Sequence, residues 1–197
     1  MPATEAQCSN PHQALVPSPW VVRFAPLIKP GGRVLDLACG YGRHARFLAA
    51  LGHPVLAVDR DAAALATLAA VTGIESQVAD LEQGAWQFGG QRFDAIVVTH
   101  YLHRPLLGDL LAALAPDGVL LYETFAAGHA AFGRPSRPEF LLQPDELLQR
   151  VQGLLRVVAF EQGQIAEPFP AVIQRLCATG LERPWPAPLP LPLPPAA

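Results

Sequence analysis

The pattern of hydrophobic and polar positions along the chain predicts seven short β-strands, and three of the first five are nearly continuous apolar runs. The first five strands alternate with helix-like segments, a rhythm typical of a parallel sheet with right-handed crossovers. The last two follow each other with no helix between them, which indicates an antiparallel hairpin at the sheet edge. The predicted strands are residues 33–38, 54–59, 75–80, 93–98, 118–125, 154–163 and 171–179.

The segments between these strands predict helices at Gly42–Leu51, Asp61–Val71 and Arg104–Leu114. A further helix is predicted within 143–151, where Pro144 and two acids occupy the first turn. We therefore expect an α/β fold, with a doubly wound, mostly parallel seven-stranded sheet that ends in an antiparallel C-terminal hairpin.

The chain divides into three predicted parts. Residues 1–30 are expected to form a lid or cover, and residues 31–180 the α/β domain. Residues 181–197 are rich in proline, which is typical of polyproline II or disorder.

Composition narrows the class of protein. Of the 197 residues 51% are hydrophobic, enough for the core of one domain, and the net charge of −3 gives no basic field for nucleic acid. The three cysteines are widely spaced and show no zinc-ligand pattern. With no signal peptide or long apolar run visible, we expect a cytoplasmic protein that has no metal, membrane or nucleic-acid partner. Its oligomeric state is left open.

A glycine loop follows the first predicted strand, in "RVLDLACGYGRHARFL". The stretch from Gly40 to Ala45 satisfies the G-x-G-x-x-G/A pattern of dinucleotide binding, which alone is weak evidence. Three acids, Asp36, Asp59 and Asp80, stand near the ends of successive strands. Because the carboxyl ends of parallel strands line the ligand crevice, we expect these acids to converge there.

Charge distinguishes two cofactors for this loop. Asp36 would oppose the pyrophosphate of a dinucleotide by roughly 1–4 kcal/mol per contact. It would favour the ammonium and sulfonium of S-adenosylmethionine. Asp59 suits ribose hydroxyls in either case, and Asp80, with the backbone of Leu81, suits the adenine amine. The charges therefore favour S-adenosylmethionine.

Five motifs in order, "VLDLACGYG", "LAVDRD", "VADLE", "FDAIVVTHYLH" and "LAPDGVLLYETF", resemble those of class I S-adenosylmethionine-dependent methyltransferases. The resemblance covers roughly residues 30–125 and implies a Rossmann-like methyltransferase fold. It also implies the cofactor residues: Asp36, Ala38 (in place of a common first glycine), Gly40 and Gly42 at the methionine moiety, Asp59 at the ribose and Asp80 at the adenine. Arg60 and Leu81, next to these acids, are further cofactor-binding candidates.

A narrower resemblance links "CGYGRHARFLAALGHPVLAVD" and "FLLQPDELLQRVQGLLRVVAFEQG" to the tellurite-resistance-type methyltransferases. That branch acts on small molecules, including chalcogen oxyanions. The resemblance implies methyl transfer to a small nucleophile, with a thiol or chalcogen, oxygen or nitrogen acceptor left unresolved. Two alternatives are a dinucleotide-dependent oxidoreductase and a non-catalytic binding protein with this fold.

Candidate residues for the acceptor side lie in "THYLHRP" and in the long insert 123–142. Histidines suit base chemistry near neutral pH, although a polar helix start would look the same. The insert is expected to be a substrate-covering loop, although a surface loop is equally compatible. Arg43 is a candidate partner of the cofactor carboxylate. The catalytic candidates are His100, Tyr101 and His103; the substrate-binding candidates are Arg104, Glu123, Arg134 and Arg137.

Overall fold

The computed structural model describes residues 16–83 and 86–191. It contains a seven-stranded sheet with the strand order β3-β2-β1-β4-β5-β7-β6. The strands are β1 Val34–Leu37, β2 Val55–Asp59, β3 Ile74–Val78, β4 Phe93–Thr99, β5 Leu114–Phe125, β6 Leu155–Ile165 and β7 Ala171–Gly180. The helices are α1 Pro19–Phe24, α2 Arg43–Ala50, α3 Ala62–Ala66, α4 Leu107–Ala113 and α5 Glu146–Val151.

The sheet confirms the predicted fold class. Strands β1 to β5 pair in parallel, whereas β7 lies antiparallel between β5 and β6. Every residue of β1 is buried, which explains its continuous apolar run. The strand β3 is the opposite edge and is partly exposed, in agreement with its polar sequence.

Helices cover both faces of the sheet. Side chains of α1, α2 and α3 pack on one face around Trp20 and Leu48, while α4 and α5 pack on the other around Leu110 and Leu147. The fold therefore has three layers, and the carboxyl ends of β1 to β4 open at the same edge.

The predicted helices differ from the structure in their bounds. The helix predicted at Arg104–Leu114 begins as a 3-10 turn over Arg104–Leu106, and α4 follows from Leu107 to Ala113. The helix predicted at Asp61–Val71 ends at Ala66, although Asp61 caps it as N-cap through the amides of Ala63 and Ala64. The helix predicted in 143–151 begins only at Glu146, because Asp145 has a left-handed backbone with φ of 61°. The two acids therefore do not share a first helical turn.

The segments outside the sheet are partly described. Residues 1–15 of the predicted cover and residues 192–197 of the proline-rich tail lie outside the described residues. The described part of the tail runs along α1, since Arg23 donates to the carbonyl of Pro190 at 2.8 Å and Arg183 to that of Leu27 at 2.5 Å. In the part of the chain that the structure describes, no helix has the length and apolar character needed to cross a membrane.

Candidate active site

The glycine loop after β1 is held by the end of β2. The amide of Gly40 donates to Oδ2 of Asp59 at 2.7 Å, and Oδ1 of Asp59 accepts from the amide of Asp61 at 2.9 Å. Gly40 has a φ of 54°, and Ala38 has a φ of 55°, where glycine is usual. The position that the family resemblance marks as a missing glycine therefore keeps the glycine-like backbone.

Gly42 has a different role from Gly40. A Cβ on Gly42 would lie 2.6 Å from Cδ2 of Leu68, whereas a Cβ on Gly40 would meet nothing within 4 Å. Gly42 is the left-handed N-cap of α2 and is buried. It therefore allows α2 to pack closely on the core, while Gly40 keeps the loop open at the site.

A cavity of about 410 Å³ opens at the carboxyl ends of the strands. Four carboxylates and a single guanidinium line it, so its charge suits a cationic ligand better than a pyrophosphate. Its volume lies in the usual range of small-ligand sites. The lining residues are Ala38, Gly40, Tyr41, Asp59, Arg60, Asp61, Ala64, Ala79, Asp80, Leu81, Glu82, Thr99, His100 and Tyr101.

This cavity brings together most of the residues predicted for the cofactor. Asp59, Arg60 and Asp80 reach it from two neighbouring strand ends, and Ala38 and Gly40 reach it from the loop. The strand-end carboxylates, the open glycine loop and the acidic lining fit the ribose, adenine and cationic aminoacyl parts of S-adenosylmethionine.

Asp36 lies within β1 and does not line the cavity. It is 1% exposed, and its Oδ2 accepts from the amide of Ala45 at 2.9 Å. Its Oδ1 has no hydrogen-bond partner among the residues described. Burial raises the pKa of Asp36 to about 7, although the Ala45 amide and the nearby Arg43 guanidinium oppose this rise. A buried, unsatisfied carboxylate oxygen next to the loop is a position where a ligand cation would be stabilised.

Tyr101 lines the cavity near the carboxylates of Asp80 and Glu82. Burial raises the pKa of its phenol, and the carboxylates of Glu82 and Asp80 raise it further. Its hydroxyl has no hydrogen-bond partner within residues 16–83 and 86–191. Its carbonyl accepts from the hydroxyl of Tyr122 at 2.9 Å, which fixes the backbone after β4.

A buried polar network adjoins the cavity on the side of α1. The amide of Ser18 donates to Nε2 of His44 at 3.1 Å, and its hydroxyl donates to Oε1 of Glu123 at 3.0 Å. Because Nε2 accepts, the ring proton of His44 lies on Nδ1, which is 3.4 Å from the hydroxyl of Thr99. Burial, with Arg43 and His100 nearby, holds the pKa of His44 well below its usual value. His44 is therefore neutral.

Glu123 is 8% exposed and lies near two arginines. Its Oε2 is 3.6 Å from Nη1 of Arg175, and Arg43 acts on it at longer range. Burial raises the pKa of Glu123, although Ser18 and both arginines oppose the rise. Glu123, a predicted substrate residue, is not among the residues that line the cavity. The sequence analysis did not single out Ser18 or His44, and "RH" at the start of α2 was the available signal for His44.

Other predicted substrate residues lie away from the cavity. Arg104 donates to both carboxylate oxygens of Glu146 at 2.8 Å and to the carbonyls of Glu139 and Leu141. These contacts hold the pKa of Glu146 below its usual value. Arg104 thus joins α5 to the segment before α4.

The 123–142 insert is closed on itself. The amide of Ala127 donates to the carbonyl of Leu142 at 2.9 Å, and the amide of Leu142 donates to the carbonyl of Phe125 at 3.0 Å. Arg134 and Arg137 are exposed, and Arg137 pairs with Glu139 at 3.3 Å. His103 precedes a short 3-10 turn and, like both arginines, is absent from the cavity lining. The structure therefore does not bring these three residues to the candidate cofactor site.

A family model described as "Methyltransferase domain" matches residues 11–163. The chain belongs to this family. It is a methyltransferase, and S-adenosylmethionine is its cofactor. Membership of this family favours methyl transfer over the dinucleotide-dependent oxidoreductase. None of the curated proteins matches the chain in sequence.

Solved structures share the methyltransferase fold. TehB from Haemophilus influenzae has a TM-score of 0.67 and 21% identity, over 81% of this chain and 61% of that one. The methyltransferase therefore spans less than two thirds of the length of TehB. A TehB-like S-adenosylmethionine-dependent methyltransferase from Corynebacterium glutamicum has a TM-score of 0.61 and 20% identity, over 82% and 87% of the two chains. An S-adenosylmethionine-dependent methyltransferase from Mesorhizobium loti has a TM-score of 0.66 and 18% identity, over 84% and 100%.

Proposed function

We propose that this methyltransferase acts on a small-molecule nucleophile, with a thiol or chalcogen, oxygen or nitrogen acceptor. The observation that carries the proposal is the acid-lined cavity of about 410 Å³, which adjoins the enclosed polar network of Ser18, His44 and Glu123. A polyanion would be repelled by the acidic lining and by the net charge of −3. A small acceptor can instead be enclosed beside the cofactor.

In this proposal the cavity residues and three residues next to them, Asp36, Gly42 and Arg43, each take one part of the cofactor. Asp59 accepts hydrogen bonds from the ribose hydroxyls beside Arg60, and Asp80 with the backbone of Leu81 receives the adenine amine. Ala38, Gly40 and Gly42 shape the loop around the methionine moiety. Asp36 stabilises its ammonium and Arg43 its carboxylate. When bound, S-adenosylmethionine supplies an electrophilic methyl group on a sulfonium.

His100 is the proposed acceptor-side residue of the cavity. It lines the cavity directly after β4, and its amide donates to the carbonyl of Glu123 at 2.9 Å. Its imidazole would accept the proton of a hydroxyl or amine acceptor, whereas a thiolate or chalcogen anion needs no base. The protein's main contribution is then to hold the acceptor close to the methyl group.

The described part of the predicted cover, residues 16–30, is proposed to enclose this end of the site. Ser18 supports the proposal, because its two hydrogen bonds join the chain before α1 to α2 and β5. Water exclusion there would strengthen the electrostatic contacts of the acceptor.

The proposed acceptor class is tested with labelled methyl groups. The purified protein is incubated with methyl-labelled S-adenosylmethionine and a cell extract separated into low-mass, nucleic-acid and protein fractions. We expect a labelled product, separated from unreacted S-adenosylmethionine, only in the low-mass fraction, and no such product with the Asp59→Ala variant. Label confined to the nucleic-acid or protein fraction would contradict the proposal.

A further inference from the structure

A column of stacked rings begins at the edge of the cavity. His100, which lines the cavity, stacks on Phe125 with centroids 4.9 Å apart and planes at 22°. Phe125 stacks in turn on His129 at 4.1 Å and 23°. Phe125 and His129 are 6% and 3% exposed. His100, Phe125 and His129 form an aromatic wall, in which Phe125 and His129 lie behind the cavity lining and are fixed by packing.

His129 serves this wall as a support. Its Nδ1 accepts from the amide of Val172 at 3.4 Å, so its ring proton lies on Nε2, which is 3.2 Å from the carbonyl of Arg134. Both ring nitrogens are engaged by the backbone. His129 therefore holds Phe125 in place.

Phe169 completes the wall from a different part of the chain. It lies in the connection between β6 and β7, with its ring edge-on to His100 at 6.3 Å and 6.5 Å from Phe125. Phe169 is only half-buried, unlike Phe125. Since the hairpin connection brings a partly open aromatic ring to a cavity residue, it offers a packing surface for a ligand.

The charges around the wall do not suit an oxyanion. Arg175 lies on β7, two positions after Ile173, which is paired with Phe125. It donates to Glu161 at 2.8 Å and lies beside Glu123. Its charge is thus already balanced by two carboxylates. Arg134 and Arg137 are exposed on the insert and absent from the cavity lining. A neutral ring needs no free cation, whereas an oxyanion does.

We propose, resting on the proposed function, that the acceptor is an aromatic or heteroaromatic small molecule. Its ring packs against His100 and Phe169, and Phe169 is a specificity-determining residue. The wall then presents the nucleophile on that ring to the cavity, and the β6–β7 connection selects flat acceptors over saturated ones of the same size.

The experiment measures acceptor binding apart from turnover. The protein is saturated with S-adenosylhomocysteine and titrated by NMR with 2-naphthol and with decahydro-2-naphthol, two neutral alcohols of similar size. We expect 2-naphthol to bind tighter by on the order of threefold to tenfold, the range of an aromatic pair. Equal affinities, or no binding of either alcohol, would overturn the proposal.

Matched variants locate the preference. Phe169→Leu keeps an apolar side chain but removes the ring, so the preference for 2-naphthol should disappear. Phe132→Leu removes an exposed ring on the far side of the column, whose centroid is 6.4 Å from that of His129. This variant should keep the preference for 2-naphthol. Retention of the preference in Phe169→Leu would also overturn the proposal.

A separate titration distinguishes an error in the acceptor class from an error in the proposed function. The affinity for S-adenosylhomocysteine should be the same in wild type and both variants. If this ligand binds but the aromatic preference is absent, the acceptor class is wrong and the proposed function stands. If it does not bind at all, the proposed function fails and this inference with it.

Discussion

The amide of Gly40 donates to Oδ2 of Asp59 over 2.7 Å, which joins the loop after β1 to the end of β2. The other carboxylate oxygen accepts from Asp61, at the start of α3. One side chain thus fixes the loop, the strand end and the next helix, and it faces the cavity. The geometry of the cofactor site therefore depends on this carboxylate.

Gly42→Ala should destabilise the fold more than Gly40→Ala. Both positions have positive φ, but only a Cβ at residue 42 would clash with the buried Leu68. We expect the free energy of unfolding to fall by about 2–4 kcal/mol in Gly42→Ala, because of backbone strain and overpacking, and by about 1 kcal/mol in Gly40→Ala. Urea unfolding of the two variants provides the measurement, and equal losses would show that α2 does not pack as described.

Asp36 should make stability fall as pH rises. Its folded pKa of about 7 lies above the ordinary 3.8, so the folded state binds the proton more tightly than the unfolded state. The free energy of unfolding therefore decreases from pH 3.8 to pH 7, by on the order of 4 kcal/mol at most, and this loss is constant above pH 7. Asp36→Asn should gain stability over wild type across this window, measured by urea unfolding between pH 5 and 8. A pH-independent difference would refute the assignment.

The same carboxyl should link cofactor binding to proton release. A ligand ammonium near Asp36 favours the carboxylate, so binding near pH 7 should expel a proton. Below pH 7 the affinity for the ligand should therefore increase by up to about tenfold for each unit by which the pH is raised. Calorimetry of S-adenosylhomocysteine in two buffers of different ionisation enthalpy counts that proton. Asp36→Asn should lose this release, and an unchanged proton count would show that Asp36 is not coupled to the ligand.

Ser18→Ala should weaken the junction between α1 and the sheet. The hydroxyl accepts from the amide of Trp20 at 3.1 Å and donates to the buried Glu123, so its removal loses a helix cap and leaves a buried oxygen unsatisfied. We expect about 2 kcal/mol, or a Tm lower by roughly 4–8 °C. Ser76→Ala, exposed on β3, is the control and should change little. Similar Tm values for the two variants would contradict the network.

The strands and the acids at the strand ends that line the cavity could be predicted from the sequence because their signals are local. Apolar runs covered on both faces gave the strands, and Asp59 at the end of β2 reached the cavity as expected. The start of α5 could not be found in this way. Glu146 accepts from the amide of Gln143 three residues earlier, and it also pairs with Arg104, 42 residues away, a contact that no local pattern shows.

The acceptor side was harder to predict for the same reason. His44 is fixed by a backbone amide 26 residues away, and Phe169 meets His100 only after the β6–β7 hairpin has formed. Arg104 was predicted to bind the substrate because it is a cation after β4, but its guanidinium pairs with Glu146 at the start of α5. Long-range pairing, and not residue type, decides which polar side chains remain for a ligand.

Calorimetric titration of S-adenosylhomocysteine and NAD into wild type, Asp59→Ala and Asp59→Asn tests the cofactor site most directly. Asp109→Ala, an exposed acid on α4, is the matched control. We predict one S-adenosylhomocysteine per chain for wild type and Asp109→Ala, a loss of roughly 10- to 100-fold for Asp59→Ala, a smaller loss for Asp59→Asn, and no binding of NAD. Unchanged affinity in Asp59→Ala, or NAD binding in place of S-adenosylhomocysteine, would contradict the site described.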